Sequence, residues 1–254
     1  MFRVVLSLSL LVSTAALAQA ELTTKQAMAQ AQEAPLTIDS DKGISCDRER
    51  NTCTATGNVV ATKGAFVLHC HELTTFMRKG ADGKQQVWKV DAKGNVVFTG
   101  IPGEKATGAR AIYTIDDGKL FMTADPNDGY TIVIKDDKIL KSRRVILFID
   151  ESGNSRQLKY IEALEDVTLS TPDEIGYGDK VTYTPATQIA TLQGDLVTIA
   201  REEGHLKGKY AQINLDTGIA KMMNSADNDG KGRVRAFIRP DKTDADKLSL
   251  RKKP

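Results

Sequence analysis

Neither acid nor base dominates this chain: 35 Lys and Arg stand against 33 Asp and Glu over 254 residues, a net charge of +2. No overall field therefore seeks a nucleic acid, and the usual RNA- and DNA-binding motifs are missing too. Beyond residue 20 no apolar stretch exceeds the five residues Val145 to Ile149, whereas a membrane-spanning helix needs roughly 20. Proline (7) and tryptophan (1) are scarce, and 41% hydrophobic with 27% charged residues is a globular balance, neither fibrous nor disordered.

The marks of catalysis are missing as well. Gly204-His205-Leu206-Lys207-Gly208-Lys209 is one residue short of a phosphate-binding loop and has Tyr210 where Ser or Thr is required. No Gly-x-Ser-x-Gly elbow occurs, and no carboxylate pair has an acid/base context. His69 and His71 form an H-x-H pair, but the remaining histidine, His205, lies in a different repeat, so no metal site is expected. Asp125-Pro126-Asn127-Asp128-Gly129 and Asp227-Asn228-Asp229-Gly230 lack the distal glutamate of a calcium loop and read as turns. The expectation is a protein with no enzymatic activity, no metal and no cofactor.

What is present begins with an export signal. Arg3 is a short basic region, Val4 to Val12 is apolar, and Ala16-Leu17-Ala18 or Ala18-Gln19-Ala20 supplies a small-x-small cleavage site. Residues 1–20 are read as a signal peptide and the Ala/Gln-rich residues 21–34 as a flexible leader. Three cysteines in an exported chain leave two readings open. Either a two-residue turn at Glu49-Arg50 sets Cys46 opposite Cys53 for a disulfide, or all three, with Cys70, are small buried residues. Residues 231–254 carry nine Lys/Arg against three Asp, which is either a solvated tail or a contact for lipid phosphates or an acidic partner.

From Pro35 onward, short runs of β-branched and aromatic residues alternate with polar ones between turn dipeptides such as Lys93-Gly94-Asn95, Asp117-Gly118 and Thr217-Gly218. This is an all-β pattern. Gly57-Asn58-Val59-Val60, Gly94-Asn95-Val96-Val97 and Gly194-Asp195-Leu196-Val197 read as three copies of a strand opening. Longer matches relate 107–125 to 177–195 at an offset of 70, and 140–150 to 206–216 at an offset of 66. Repeats that cannot bury an apolar face alone must stack. The two-residue period puts Phe66, Leu68 and Cys70 on one face and Val67, His69 and His71 on the other. Two such sheets facing each other would make a long sandwich or jelly roll of stacked hairpins over residues 35–240, followed by a basic tail at 241–254.

These residues resemble the periplasmic lipopolysaccharide-export bridge proteins of the LptA/OstA type. The resemblance is carried by Pro35-Leu36-Thr37-Ile38-Asp39-Ser40-Asp41, Thr56-Gly57-Asn58-Val59 and Lys63-Gly64. It continues in Gly176-Tyr177-Gly178-Asp179-Lys180-Val181-Thr182-Tyr183 with Gly194-Asp195, and closes with Arg233-Val234-Arg235-Ala236-Phe237-Ile238-Arg239-Pro240. Members of that family are usually shorter, and residues 105–156 look like additional repeat material. The resemblance implies an all-β fold, an open, twisted β-jelly roll built from stacked antiparallel hairpin repeats, and a periplasmic carrier that shields the acyl chains of lipopolysaccharide (lipid A) in its apolar sleeve and bridges inner to outer membrane. It also implies assembly end to end, with itself, an LptC-like inner-membrane protein and an LptD-like outer-membrane translocon.

Leu36, Ile38, Val59, Phe66, Leu68, Val96, Phe98 and Tyr113 are the expected sleeve residues of the first half. Val145, Leu147, Ile149, Val181, Tyr183, Ile213, Leu215 and Phe237 are those of the second. Leu36, Thr37 and Ile38 at one end, and Arg233, Val234, Arg235, Ala236, Phe237 and Ile238 at the other, are the expected docking edges. The rival expectation is a cargo-free structural or adhesive β-protein of the cell envelope.

Overall fold

The computed structural model describes residues 36–63, 66–80, 83–100, 104–127, 129–150, 157–226 and 232–239. The signal peptide, the leader, Pro35, Pro240 and the tail at 241–254 lie outside the described residues. So do Gly64, and Asp128 and Asp227 to Gly230 among the expected turns.

Among the described residues every regular element is a strand. The first half holds β1 (Thr37–Asp39), β2 (Ile44–Asp47), β3 (Thr52–Lys63), β4 (Phe66–Lys79), β5 (Gln85–Thr99), β6 (Glu104–Thr114) and β7 (Lys119–Thr123). A hairpin of β8 (Thr131–Lys135) and β9 (Lys138–Ser142) follows. The second half continues with β10 (Arg144–Asp150), β11 (Gln157–Ser170), β12 (Ile175–Thr184), β13 (Ile189–Arg201), β14 (Gly204–Asn214), β15 (Ala220–Met223) and β16 (Arg235–Ile238). All pairings are antiparallel within one 16-stranded network.

Four of the long strands divide one edge between two short neighbours, one per half of their length. The first part of β6 pairs β8 and its second part pairs β7. Likewise β3 divides between β2 and β1, β11 between β10 and β9, and β14 between β16 and β15. Between the two parts the register slips at a bulge. The network is thereby creased into two layers along one line.

The crease has a local cause. Gly57 and Asn58 in β3 sit at φ 80° and 42°, and Gly94 and Asn95 in β5 at 76° and 49°. Glu165 and Asp166 in β11 sit at 66° and 52° with no glycine. Two consecutive left-handed residues oppose one residue on the neighbouring strand, the geometry of a β-bulge. The strands that carry the pair keep their alternation across it, as Ala55 and Val59 show, while β4, which has no extra residue, steps by three from inward Cys70 to inward Leu73. Both layers therefore turn their apolar sides to the same interior.

Two expectations are corrected here. Gly57-Asn58-Val59-Val60 and Gly94-Asn95-Val96-Val97 lie inside β3 and β5 as bulges, not at strand openings or turns, because Gly-Asn satisfies left-handed backbone in either setting. The connection from β2 to β3 is a four-residue loop, 48–51, not a two-residue turn. Asp47 Oδ1 accepts the amides of Glu49 and Arg50 at 2.9 and 3.0 Å and leaves Asn51 to take the positive φ.

The described strands of the 105–156 stretch lengthen the roll: β6, β7 and β10 lie on the continuous path from β5 to β11, and β8 and β9 link β6 to β11 beside it. Strand pairing also shows a repeat unlike the offsets of 70 and 66. Arg110, Ala111, Ile112 and Tyr113 face Thr123, Met122, Phe121 and Leu120, and Tyr210, Ala211, Gln212 and Ile213 face Met223, Met222, Lys221 and Ala220, the same pairs displaced by 100. Each half has its own core, one around Val59, Leu73, Val96 and Met122, the other around Val145, Val167, Leu192 and Ile213. Val133 of β8 packs against both.

Gly94 combines a positive φ with a close neighbour: an added Cβ would lie 2.8 Å from His71 Nδ1. Gly94→Val is expected to lower stability by about 1–2 kcal/mol or more through left-handed strain alone, read as a lower urea midpoint with unchanged slope. Asn95→Gly, which relieves a positive φ, is the control and keeps the midpoint or raises it.

Candidate functional site

Burial of the inward face falls with distance from the crease. Val96 is sealed and Phe98, two residues farther out, is half-buried. The same step separates Val145 from Leu147, Val181 from Tyr183, and Ile213 from Leu215. Half-buried apolar residues accordingly form two rows: Val90, Leu120, Leu147, Leu158, Tyr183 and Leu215 on one layer, Leu68, Phe98, Val133 and Leu206 on the other. The rows continue from one core to the other.

Their chemistry is non-directional. Only Tyr183 brings a polar atom, and its hydroxyl is occupied, donating to Gln188 Oε1 at 2.8 Å, while burial pushes its pKa above the ordinary tyrosine value. Phe98 stacks on Phe66 with ring centroids 5.7 Å apart, which extends the second row toward its rim. A polar concavity at the crease, lined by Arg143, Arg144, Glu165, Asp166 and Asp179 among others, includes none of the apolar row residues. Among the described residues no three His, Cys, Asp or Glu side chains gather as metal ligands.

The residues expected to line a sleeve divide into three sets. Val59, Val96, Val145, Val181 and Ile213 are sealed in the cores at the crease. Leu68, Phe98, Leu147, Tyr183 and Leu215 stand in the rows, Ile38 packs on the first core, and Phe66, Tyr113 and Ile149 are half-buried near strand ends. Leu36 and Phe237 are 44% and 50% exposed at the two ends of the network. Val90, Leu120, Val133, Leu158 and Leu206 were missing from the expected set. Counting by two from Ala92 to Val90, and from Met122 to Leu120, would have found the first pair.

A family model described as LptA/(LptD N-terminal domain) LPS transport protein matches the chain twice, over residues 37–131 and 127–219. The chain belongs to this family. Its role accordingly lies in lipopolysaccharide transport. An uncharacterized protein of Rhizobium meliloti (strain 1021) is 27% identical over 143 residues, covering 55% of this chain and 69% of the relative. Among solved structures, the chain is similar to LptH, described as the LptA homologous periplasmic component of the conserved lipopolysaccharide transport device from Pseudomonas aeruginosa. That match has 12% identity and a TM-score of 0.24, and covers 83% of this chain and 99% of that one.

In this member of the LPS transport family the network ends in four strands, not two. Among the described residues β1 and β2 pair only β3, while β15 and β16 pair only β14. The closing segment is shorter than Arg233 to Arg239: pairing begins at Arg235, opposite Lys207, and ends with Ile238 opposite Gly204. Cys46 and Cys53 face each other across β2 and β3 and are joined by a disulfide. His69 and His71 are exposed, and His205 stacks on Phe237 with centroids 5.2 Å apart.

Cys70 is a buried free thiol whose pKa burial raises from 9.0 to about 11. The thiolate is the reactive form, so alkylation of the folded protein at pH 8 is expected to be slow and to become fast only in denaturant. Because the unfolded thiol loses its proton first, this group's stabilising contribution declines as pH rises from 9.0 toward about 11. Rapid labelling of the native protein would contradict this burial.

Proposed function

We propose that this chain is a periplasmic carrier that holds the acyl chains of lipopolysaccharide against the two rows of half-buried residues and passes them along without chemistry. The observation that supports the reading is the gradient of burial. A dry core would be sealed to its rim, whereas here sealing reaches two inward residues from the crease at most and leaves an apolar track of half-buried residues beyond them. Each buried methylene contributes roughly 0.8 kcal/mol, so a chain of about a dozen carbons gains on the order of 10 kcal/mol before ordering costs. The contacts are similar along the track, so no single station holds the lipid much more tightly than the next. Bridging follows from the unclosed ends, whose N–H and C=O groups suit strand addition by proteins of the same fold, an LptC-like one on the inner-membrane side and an LptD-like one on the outer.

Native mass spectrometry after gentle purification is expected to show a bound amphiphile, displaced by added lipopolysaccharide. Leu147→Asp places a carboxylate in the middle of one row and is expected to weaken capture by at least about tenfold, the equivalent of losing two buried methylenes. Circular dichroism reports whether the variant stays folded. A folded Leu147→Asp protein that captures lipopolysaccharide as well as the parent would overturn the carrier reading. An empty protein that binds none in titration would favour the cargo-free alternative.

A further inference from the structure

The outer side of one layer carries a row that the carrier reading does not use. Phe76, Lys89, Thr114, Lys119, Phe148 and Tyr160 face one another in turn across β4, β5, β6, β7, β10 and β11. Their neighbours along the strands, Val90, Leu120 and Leu147 among them, stand in an inward row, so alternation turns these six side chains to the outside. Thr114 is the last residue of β6 and Lys119 the first of β7, which puts the outer row at the rim, away from the crease.

Rings and cations alternate about Thr114 at the centre of this row. Lys89 Nζ lies 4.8 Å from the Phe76 ring centroid, and Lys119 Nζ lies 5.4 Å from that of Phe148. Phe148 in turn stacks on Tyr160 with centroids 4.1 Å apart. Trp88, the only tryptophan of the chain, meets Phe76 edge-on with centroids 6.2 Å apart, and the Arg78 guanidinium lies 5.8 Å from its ring. Arg78 is held by Asp116 at 2.6 Å, whereas Lys89 and Lys119 have no carboxylate partner among the described residues. Two ammonium groups without counter-charges thus project from strands two spacings, or about 10 Å, apart, with aromatic rings on either side.

This composition is confined to the middle of the layer. At the same level β12, β13 and β14 carry Thr184, Ile189 and Asn214, which are neither aromatic nor charged. Lysines over rings on a solvated sheet face add little to folding, because exposed cation–π pairs are weak. They suit a ligand that offers anionic groups and C–H faces together, which is the chemistry of a phosphorylated sugar. A bilayer surface fits less well. The rings are half-buried against the lysines and one another instead of projecting for insertion, and the exposed Asp117 at the same rim would face any anionic headgroups.

We infer that this outer row seats the phosphorylated sugar portion of a lipopolysaccharide molecule whose acyl chains lie on the inner side of the same strands. The inference rests on the carrier reading above and adds the place of the headgroup. Val90, Leu120 and Leu147 line the track one residue away from Lys89, Lys119 and Phe148, on the opposite face of β5, β7 and β10. A molecule with acyl chains on that track and a sugar chain passing over the rim at Thr114 and Lys119 reaches both faces at once. Lys89 and Lys119 then meet phosphate oxygens through charge-assisted hydrogen bonds, and Phe76, Trp88 and Phe148 meet the C–H faces of sugar rings. With the headgroup held outside, the apolar track needs no polar station of its own.

Trp88 fluorescence tests the site, because no other tryptophan contributes. The probe is deacylated lipopolysaccharide, which keeps the phosphorylated sugars and lacks the acyl chains. Titrated into the full chain, it is expected to change Trp88 emission to saturation. Lys89→Gln together with Lys119→Gln is expected to weaken that binding by at least about fivefold. Lys105→Gln together with Lys141→Gln removes the same charge from exposed positions on the outer side of the other layer and is expected to leave it unchanged. Circular dichroism checks the fold of each variant. No response of Trp88, or equal losses from both pairs of substitutions, overturns the site. A response to phosphatidylglycerol vesicles without one to the deacylated probe overturns it as well and makes the row a membrane contact. Capture of intact lipopolysaccharide by the parent chain, measured alongside, separates the two readings. Capture without a Trp88 response to the deacylated probe removes the sugar site and leaves the carrier; a response without capture does the reverse.

Discussion

The structure depends on a break in side-chain alternation at the middle of its long strands. A strand of 12 to 15 residues with strict period two would keep one face apolar along its whole length. β3 and β5 keep that period across the crease, whereas the inward residues of β4 between them step by three, from Cys70 to Leu73. The paired left-handed residues at 57–58, 94–95 and 165–166 supply the extra residue that reconciles the two. A spacing of four, Ala55 to Val59 or Ala92 to Val96, thereby matches a spacing of three on the neighbouring strand, and all of these residues reach the same interior.

Small residues near the crease let the layers meet, and this sets the character of the interior. Ala55, Ala61, Ala92, Ala106 and Ala111 in the first half, and Ala163, Ala190 and Ala211 in the second, are sealed at the junction. Larger residues farther out are only half covered. Thr75, Thr131 and Ser142 bury only hydroxyls, and two buried carboxylates are matched by arginines. The nearly buried Asp91 carboxylate receives Arg110 through two hydrogen bonds of 2.9 and 2.6 Å, and the nearly buried Glu174 receives Arg201 at 2.8 Å. Such buried carboxylates require their partners, and both tie neighbouring strands without entering the apolar track.

A creased network of this kind does not close on itself, so it must end in strand edges. Inside the chain the problem is solved once, where the first half meets the second and every edge finds a neighbour. At the beginning of the chain, β2 has only β3 beside it, and the Cys46–Cys53 disulfide stands where Leu147 and Ile161 pair in the internal joint. A covalent tie there holds a four-residue edge strand that lacks the second neighbour its counterpart has. The tie keeps this edge strand in register on β3.

Sequence by itself determined the all-β class, because period-two runs between turn residues admit little else. It also placed Cys46 near Cys53, and it carried the family resemblance in stretches such as Thr56-Gly57-Asn58-Val59 and Gly176 to Tyr183. Only the tertiary structure decided what the Gly-Asn pairs do, since a turn and a bulge require the same left-handed backbone and differ in whether a neighbouring strand runs past. Glu165-Asp166 has no local signature, being forced into that conformation by the strands on either side. The repeat of 100 residues was hidden for a related reason: strand identity lies in pairing partners, and Tyr113 and Ile213 share a place in the fold without sharing a side chain. Whether an inward residue is sealed like Val145 or half covered like Leu147 was equally unreadable, because both satisfy the same period and only distance from the crease separates them.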